Sequence, residues 1–478
     1  MKPFLVSVLI LVNFIAKAQN QEYFPDPDTL IQKKLEQWQD LKFGLLMHWG
    51  PYSQWGIVES WSLCPEDVGW AAWARKEGVA ESYEEYRRKY EELPLTFNPT
   101  RFNPEKWAIA AKEAGMKYVV FTTKHHDGFN MFDTRYSNYK ITDPAVPFSS
   151  NPRSNITKEI FNVFRQEGFW AGAYFSKPDW HSNDYWWNKF PPADRNPNYS
   201  IIKYPERWKN FTDFTRNQLN ELATDYGKLD ILWLDGGWVR PKTNEEIREN
   251  LLDVYDGSRY ARNPQSQDID MARIVREVRN RQPGLIVVDR AVPGIHQNYL
   301  TPEQHIPEKG LPYPWETCMT MAGSWSYTPN DTYKPAGELI QKLVDIVSKG
   351  GNLLLNIGPD PDGEWDPSAY DRLKKIGAWM KVNGEAIYNT RMWTSYMDGD
   401  RIRYTQSKDG RVRYVFLFDF PKDKIVITKL PFTQTSKVSL LGMDSNLKWE
   451  KTEAGIEIEL PSDLQGMGDY VWTLKVAD

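Results

Sequence analysis

Six apolar runs, each ending in polar residues, recur along the chain and limit its fold more than any other feature. They are FGLLMHWG (43–50), KYVVFTTKHHDGF (117–129), GFWAGAYFS (168–176), LDILWLDGG (229–237), GLIVVDR (284–290) and GGNLLLNIGPDPDG (350–363). Amphipathic stretches lie between or after them at 103–115, 207–227, 270–284, 337–351 and 370–388, several with a helix-stopping Gly at the end. Strand–helix alternation calls for a parallel sheet with helices packed on it. Six such units are too many for a small open sheet and predict a (β/α)8-like barrel, regular or irregular, with its chemistry at the carboxyl ends of the strands.

The pattern changes near residue 390. RIRYTQSKDGRVRYVFLFDF (401–420) is two alternating runs around Asp409-Gly410, a hairpin signal. KIVITKL (424–430), KVSLLGM (437–443), IEIEL (456–460) and DYVWTLKVA (469–477) follow at short spacing. This reads as a C-terminal antiparallel β-sandwich. The expected division is 1–18 leader, 19–388 barrel and 389–478 sandwich. Trp393, Trp449 and Trp472 in the sandwich serve either as core or as sugar platforms.

The leader is MKPFLVSVLILVNFIAKAQN, a lysine and a short apolar run before Ala16-Lys17-Ala18. It reads as a secretory signal peptide cleaved after Ala18, and the run is short for a membrane span. Export to the periplasm or the medium is expected, with no membrane anchor. The formal net charge of −5, with 59 basic and 64 acidic residues interspersed, excludes the basic surface that nucleic acid requires. Cys64 and Cys318 are the two cysteines; export permits a disulfide, and two buried thiols are the alternative. No Cys/His metal spacing and no HExxH occurs, so no metal site is expected. Nothing in the sequence fixes an oligomeric state.

The 21 Trp and 25 Tyr suit carbohydrate as a partner, although most must fill the core. All six histidines fall at or just after strand ends or in the 291–315 segment: His48, His125, His126, His181, His296 and His305. Imidazoles there suit sugar hydroxyls. Adjacent residues on a strand point to opposite faces, so His125 and His126 reach one site only if the strand has already ended. Asp235 ends the most apolar run and is followed by two glycines, which fixes a carboxylate at the mouth and keeps its approach open. The alternative is a helix cap. Glycoside hydrolysis needs a second carboxyl; Glu303, on an irregular loop, and Glu316 can both reach the mouth, although Glu316, beside Trp315 and Cys318 at an apolar strand start, also suits a buried, oriented role, and Glu59 lies at the same rim.

FGLLMHWGPYS, TTKHHDGFNMFD, DILWLDGG, VVDR and NLLLNIGPDPDG, in this order over residues 40–365, resemble the α-L-fucosidases of glycoside hydrolase family 29. The resemblance implies an irregular barrel with a β-sandwich, and a retaining double displacement on fucosylated glycans without metal or cofactor. It implies Asp235 as nucleophile, next to Trp233, and His48, His125, His126, Tyr174 and Arg290 as fucose-binding residues. Glu59 and Trp61 match the family's Glu-Trp pair with one residue inserted. YLTPEQ resembles the segment that carries the acid/base, which favours Glu303; Glu316, with Trp315, is the alternative and otherwise a substrate-binding residue. TPEQ-IP leans towards α-1,3/1,4-linked fucose. A secreted sugar-binding protein without turnover and an α-L-galactoside hydrolase are the rival readings.

Overall fold

The computed structural model describes residues 22–65, 75–252, 264–419, 423–461 and 470–477. The leader and its cleavage site lie outside these residues. The first seven strands are β1 (Phe43–Met47), β2 (Tyr118–Lys124), β3 (Trp170–Ser176), β4 (Ile231–Asp235), β5 (Ile286–Asp289), β6 (Glu316–Thr320) and β7 (Asn352–Asn356). They form one sheet in the order β5-β4-β3-β2-β1-β7-β6, and every pairing is parallel. Nearly every residue of these strands is buried, because helices cover the outer face and the inner face curls on itself.

The two edge strands do not pair with each other. Residues 296–304 run between them as an irregular eighth stave. On one side Asn298 N donates to Val287 O at 3.0 Å and Asp289 N to His296 O at 2.9 Å. On the other, Glu316 N donates to Leu300 O and Gln304 N to Cys318 O, each at 2.8 Å. Backbone groups at both edges are thereby satisfied, and the sheet closes into a barrel through a segment too irregular to read as a strand.

The expected helices form where their signals stand. Asn103 caps Pro104–Glu113 by accepting from Lys106 N, and Asp270 caps Met271–Arg281 by accepting from Arg273 N. The amino-terminal helix Thr29–Leu41 buries Ile31, Leu35 and Trp38 in the barrel interior, together with Leu46, Tyr118, Tyr174, Trp233, Tyr299 and Leu354. Trp38 stacks on Tyr299 with ring centres 4.0 Å apart, plugging the floor.

The C-terminal strands are β8 (Thr390–Asp398), β9 (Ile402–Ser407), β10 (Val412–Leu417), β11 (Lys424–Ile427), β12 (Lys437–Leu440), β13 (Trp449–Thr452), β14 (Gly455–Glu459) and β15 (Trp472–Ala477). They make antiparallel sheets of five and three strands. Val415, Leu417, Val438, Leu474 and Val476 from one sheet share a core with Ile427, Ile456 and Ile458 from the other, with Trp393, Trp449 and Trp472 packed against it. Trp379 donates to Val471 O at 2.8 Å and Arg403 pairs with Asp345 at 2.5 Å, joining this layer to the barrel helices. Cys64 and Cys318 are both buried and are not joined in a disulfide.

Candidate active site

A cavity of about 410 Å³ opens at the carboxyl ends of the parallel strands. Its lining includes His48, Glu59, Trp61, His125, Tyr174, Trp233, Asp235, Arg290 and Glu303. They arrive from the ends of β1 to β5, from the loops after them and from the irregular stave, as closure of the barrel dictates.

Asp235 is the last residue of β4. Gly236 follows with φ +90°, turning the chain at once and donating its own N–H to Asp235 Oδ1 at 2.8 Å. The Tyr174 hydroxyl donates to Oδ2 at 2.8 Å, and Arg290 Nη1 to Oδ1 at 3.2 Å. His126 Nε2 lies 3.7 Å from Oδ2. Burial pushes this carboxyl up, but Arg290, His126, the Gly236 amide and Tyr174 outweigh it and hold it far below the ordinary carboxylate range. Asp235 therefore stands as a fixed, fully ionised carboxylate.

Arg290 follows β5 and lies over the Trp233 ring, 4.8 Å from its centre. Its Nε donates to Thr301 at 3.2 Å, and its Nη2 donates to Glu303. Thr301 and Glu303 belong to the irregular stave, so the element that closes the barrel also brings a second carboxyl to the mouth. The Glu303 side chain is 44% exposed and Asp235 20%, which places Glu303 at the rim and Asp235 deeper.

The imidazoles are held neutral. His48 Nδ1 bonds Asn356 Oδ1 at 2.8 Å, and the Asn356 amide donates to Trp325 O at 2.6 Å, which leaves His48 Nδ1 as the protonated nitrogen and Nε2 as an acceptor. His125 Nδ1 meets Ser60 Oγ at 2.5 Å. β2 ends at Lys124, so the backbone has left the strand and both rings turn to one side, 4.4 Å apart. Burial pulls His48 and His126 down to about 4 and His125 well below its usual value.

Glu59 and Trp61 sit on the short 3-10 helix Glu59–Leu63. Glu59 is buried with φ +31°, strained for a side chain of this kind, and accepts from Ser326 N at 2.9 Å. Burial raises its carboxyl to about 8, with Glu303 and Asp235 adding to the rise.

Two expected residues are elsewhere. Glu316 is the first residue of β6, at the floor end of the strand, and is fully buried in the barrel interior below the cavity. It cannot reach a leaving group as acid/base or touch substrate from there. Trp315, one position earlier, points to the opposite face and packs in the outer layer against Gly351. The histidines divide as well. His181 stacks on Tyr139 at 3.8 Å, and His296 lines a separate cavity of about 90 Å³ with Arg240 and Asp289. The carbonyl of His305 accepts from Thr317. The cavity gains residues the sequence reading did not single out for the site: Trp238, Trp325, Arg195 and Cys318. Trp238, directly after the Asp235-Gly-Gly turn, carried a readable signal; the others did not. Among the described residues no cluster of three His, Cys, Asp or Glu side chains is arranged to hold a metal.

A closed parallel barrel with Asp235, Glu303 and Glu59 in one aromatic cavity at its mouth, Asp235 deep and Glu303 at the rim, defines a glycoside hydrolase. The chain belongs to the α-L-fucosidases of glycoside hydrolase family 29. The family's sequence profile, Alpha-L-fucosidase, matches residues 10–385, and that of the Alpha-L-fucosidase C-terminal domain matches 398–477. The tissue α-L-fucosidase of Rattus norvegicus is 30% identical over 474 residues, covering 95% of this chain and 92% of the relative. Among solved structures, α-L-fucosidase isoenzyme 1 from Paenibacillus thiaminolyticus superposes with a TM-score of 0.73 at 27% identity, covering 94% of this chain and 99% of that one. The Thermotoga maritima α-fucosidase in complex with a mechanism-based inhibitor gives 0.71 at 26% identity, with 96% and 100% coverage.

Proposed function

We propose that the protein is an exo-acting, retaining α-L-fucosidase that releases terminal α-L-fucosyl residues from glycans. The observation that carries this reading is the Arg290 fork, with Asp235 on one nitrogen and Glu303 on another. One guanidinium spans both carboxyls, which suits the spacing of about 5–5.5 Å that a double displacement uses.

Asp235 attacks the anomeric carbon while Glu303 gives its proton to the departing oxygen, and a fucosyl ester forms on Asp235. Glu303 then takes a proton from water, whose oxygen attacks the same carbon and frees Asp235, so the α configuration is retained. Arg290 and Tyr174 keep Asp235 ionised until it bonds. Neutral His48 offers an acceptor, and His126, whose ring nitrogens have no hydrogen-bond partner among the described residues, offers a donor and an acceptor to sugar hydroxyls. The TPEQ-IP phrase around Glu303 supports a preference for α-1,3/1,4-linked fucose, and the leader supports export.

Turnover of an aryl α-L-fucoside, an aryl α-L-galactoside and an α-1,3-fucosylated oligosaccharide by the wild type and Asp235→Ala tests this. Fucose release that the folded variant loses supports it. Faster release of galactose moves the assignment to an α-L-galactosidase. Binding without release by the wild type makes the protein a sugar-binding one.

A further inference from the structure

Glu316 is a carboxyl in an otherwise largely aromatic and aliphatic barrel interior, and the proposed reaction does not use it. The interior is shaped around it. Its Oε2 accepts from the Tyr118 hydroxyl at 2.6 Å and its Oε1 from the Trp233 indole N–H at 3.3 Å. Tyr118 reaches it because Gly44, on the neighbouring strand, leaves the space its ring occupies; a Cβ at Gly44 would stand 2.4 Å from that ring. Tyr299 of the irregular stave also faces the carboxyl.

Trp233 links this floor to the chemistry. It lines the cavity, stacks on Tyr174 with ring centres 5.3 Å apart, and carries the Arg290 guanidinium on its face. Tyr174 and Arg290 are the two side chains that hydrogen-bond Asp235. An indole has a single polar atom, so the Glu316 bond fixes how the ring is rotated in its plane.

We propose that Glu316 is a positioning residue: from beneath the cavity it orients the Trp233 ring, and through that ring it sets Tyr174 and Arg290 on Asp235. The proposal builds on the α-L-fucosidase reading. It assigns Glu316 no proton transfer and no contact with substrate. Both of its bonds come from neutral donors, Tyr118 and Trp233, and its burial lifts the carboxyl to about 7, so a neutral isostere of the same reach suffices. Glutamine meets the requirement, accepting from Trp233 and donating to the Tyr118 oxygen.

The test compares Glu316→Gln, which keeps the reach and removes the charge, with Glu316→Asp, which keeps the charge and shortens the reach. Glu316→Met removes both. Folding is checked by circular dichroism and melting temperature, and kcat and KM are measured on an aryl α-L-fucoside. Glu316→Gln should stay within about threefold of wild-type kcat/KM, since both hydrogen bonds survive. Whichever of the Asp and Met variants is folded should lose about a hundredfold, the scale of a misplaced reacting group. An Asp variant as active as or more active than the Gln variant would overturn the proposal, as would a Gln variant as inactive as the Met variant. If the wild type turns over no fucoside, the enzymatic reading fails by itself. Titration with L-fucose, read by tryptophan fluorescence, then still ranks the variants: tighter binding by Gln than by Asp or Met supports the positioning role, and equal binding overturns it.

Discussion

Arg290 and Asp235 meet at 3.2 Å through a single guanidinium nitrogen, because another nitrogen of the same fork is committed to Glu303. The two carboxyls thus share one counter-ion while differing in depth. This sharing predicts that Arg290→Lys is not conservative, since a lysine is a point charge without the planar fork. The kcat/KM should fall about 10²–10³-fold, as when a preorganised donor is lost. The acidic limb of the pH–kcat/KM profile should also move to higher pH as Asp235 loses its main stabiliser. A measured profile with its acidic limb unmoved would refute the link.

Gly236 predicts a backbone effect. Its φ of +90° disfavours any side chain, and a Cβ there would stand 2.3 Å from Pro178 Cδ. Gly236→Ala should cost about 2 kcal/mol or more in stability from strain and contact. It should also lower kcat, because the Gly236 N–H and the aim of Asp235 depend on the same turn. Denaturant melts and steady-state kinetics on one preparation measure both.

The buried titratable groups predict a bounded stability range. His48 and His126 titrate near 4 when folded, against 6.5 ordinarily. The unfolded chain binds more protons across that window, so their contribution is present above 6.5 and is lost as pH falls through 4. Glu59 at about 8, and Asp127 and Glu316 at about 7, work in the opposite sense. Their contribution is complete below the ordinary values, 3.8 for Asp127 and 4.5 for the two glutamates, and is lost as pH rises through 7–8. Melting temperatures should therefore peak in mildly acidic buffer. Between pH 7 and 9, Glu59→Gln should lose less stability than the wild type.

The proposed export predicts a processed amino terminus. Protein expressed with its leader in a secreting host should begin at Gln19 on terminal sequencing. Retention of Met1 would contradict the signal-peptide reading.

How much of this was legible in the sequence follows from what each element depends on. The β4 run and its aspartate were readable because a buried parallel strand is continuous in hydrophobicity and its last residue faces the mouth. The hairpin at Asp409-Gly410 was readable because turn chemistry is local; Gly410 adopts φ +71°. The stave at 296–304 was not, since its hydrogen bonds come from two edges brought together only by closure of the sheet. Glu316 was misplaced for a related reason. A carboxyl next to Trp and Cys looks like a site in one dimension, and a strand start was legible, but only the direction of β6 in the closed sheet puts that start at the floor. His125 and His126 depended on one residue, Lys124, at which the strand stops.

The most direct test of the central claim is to quench the enzyme with a 2-fluoro-fucosyl fluoride and map the adduct by mass spectrometry. One fluorofucosyl unit per chain is expected, esterified to Asp235 and absent from Asp235→Ala. An adduct on Glu303, or turnover with inverted configuration and no adduct, would contradict it.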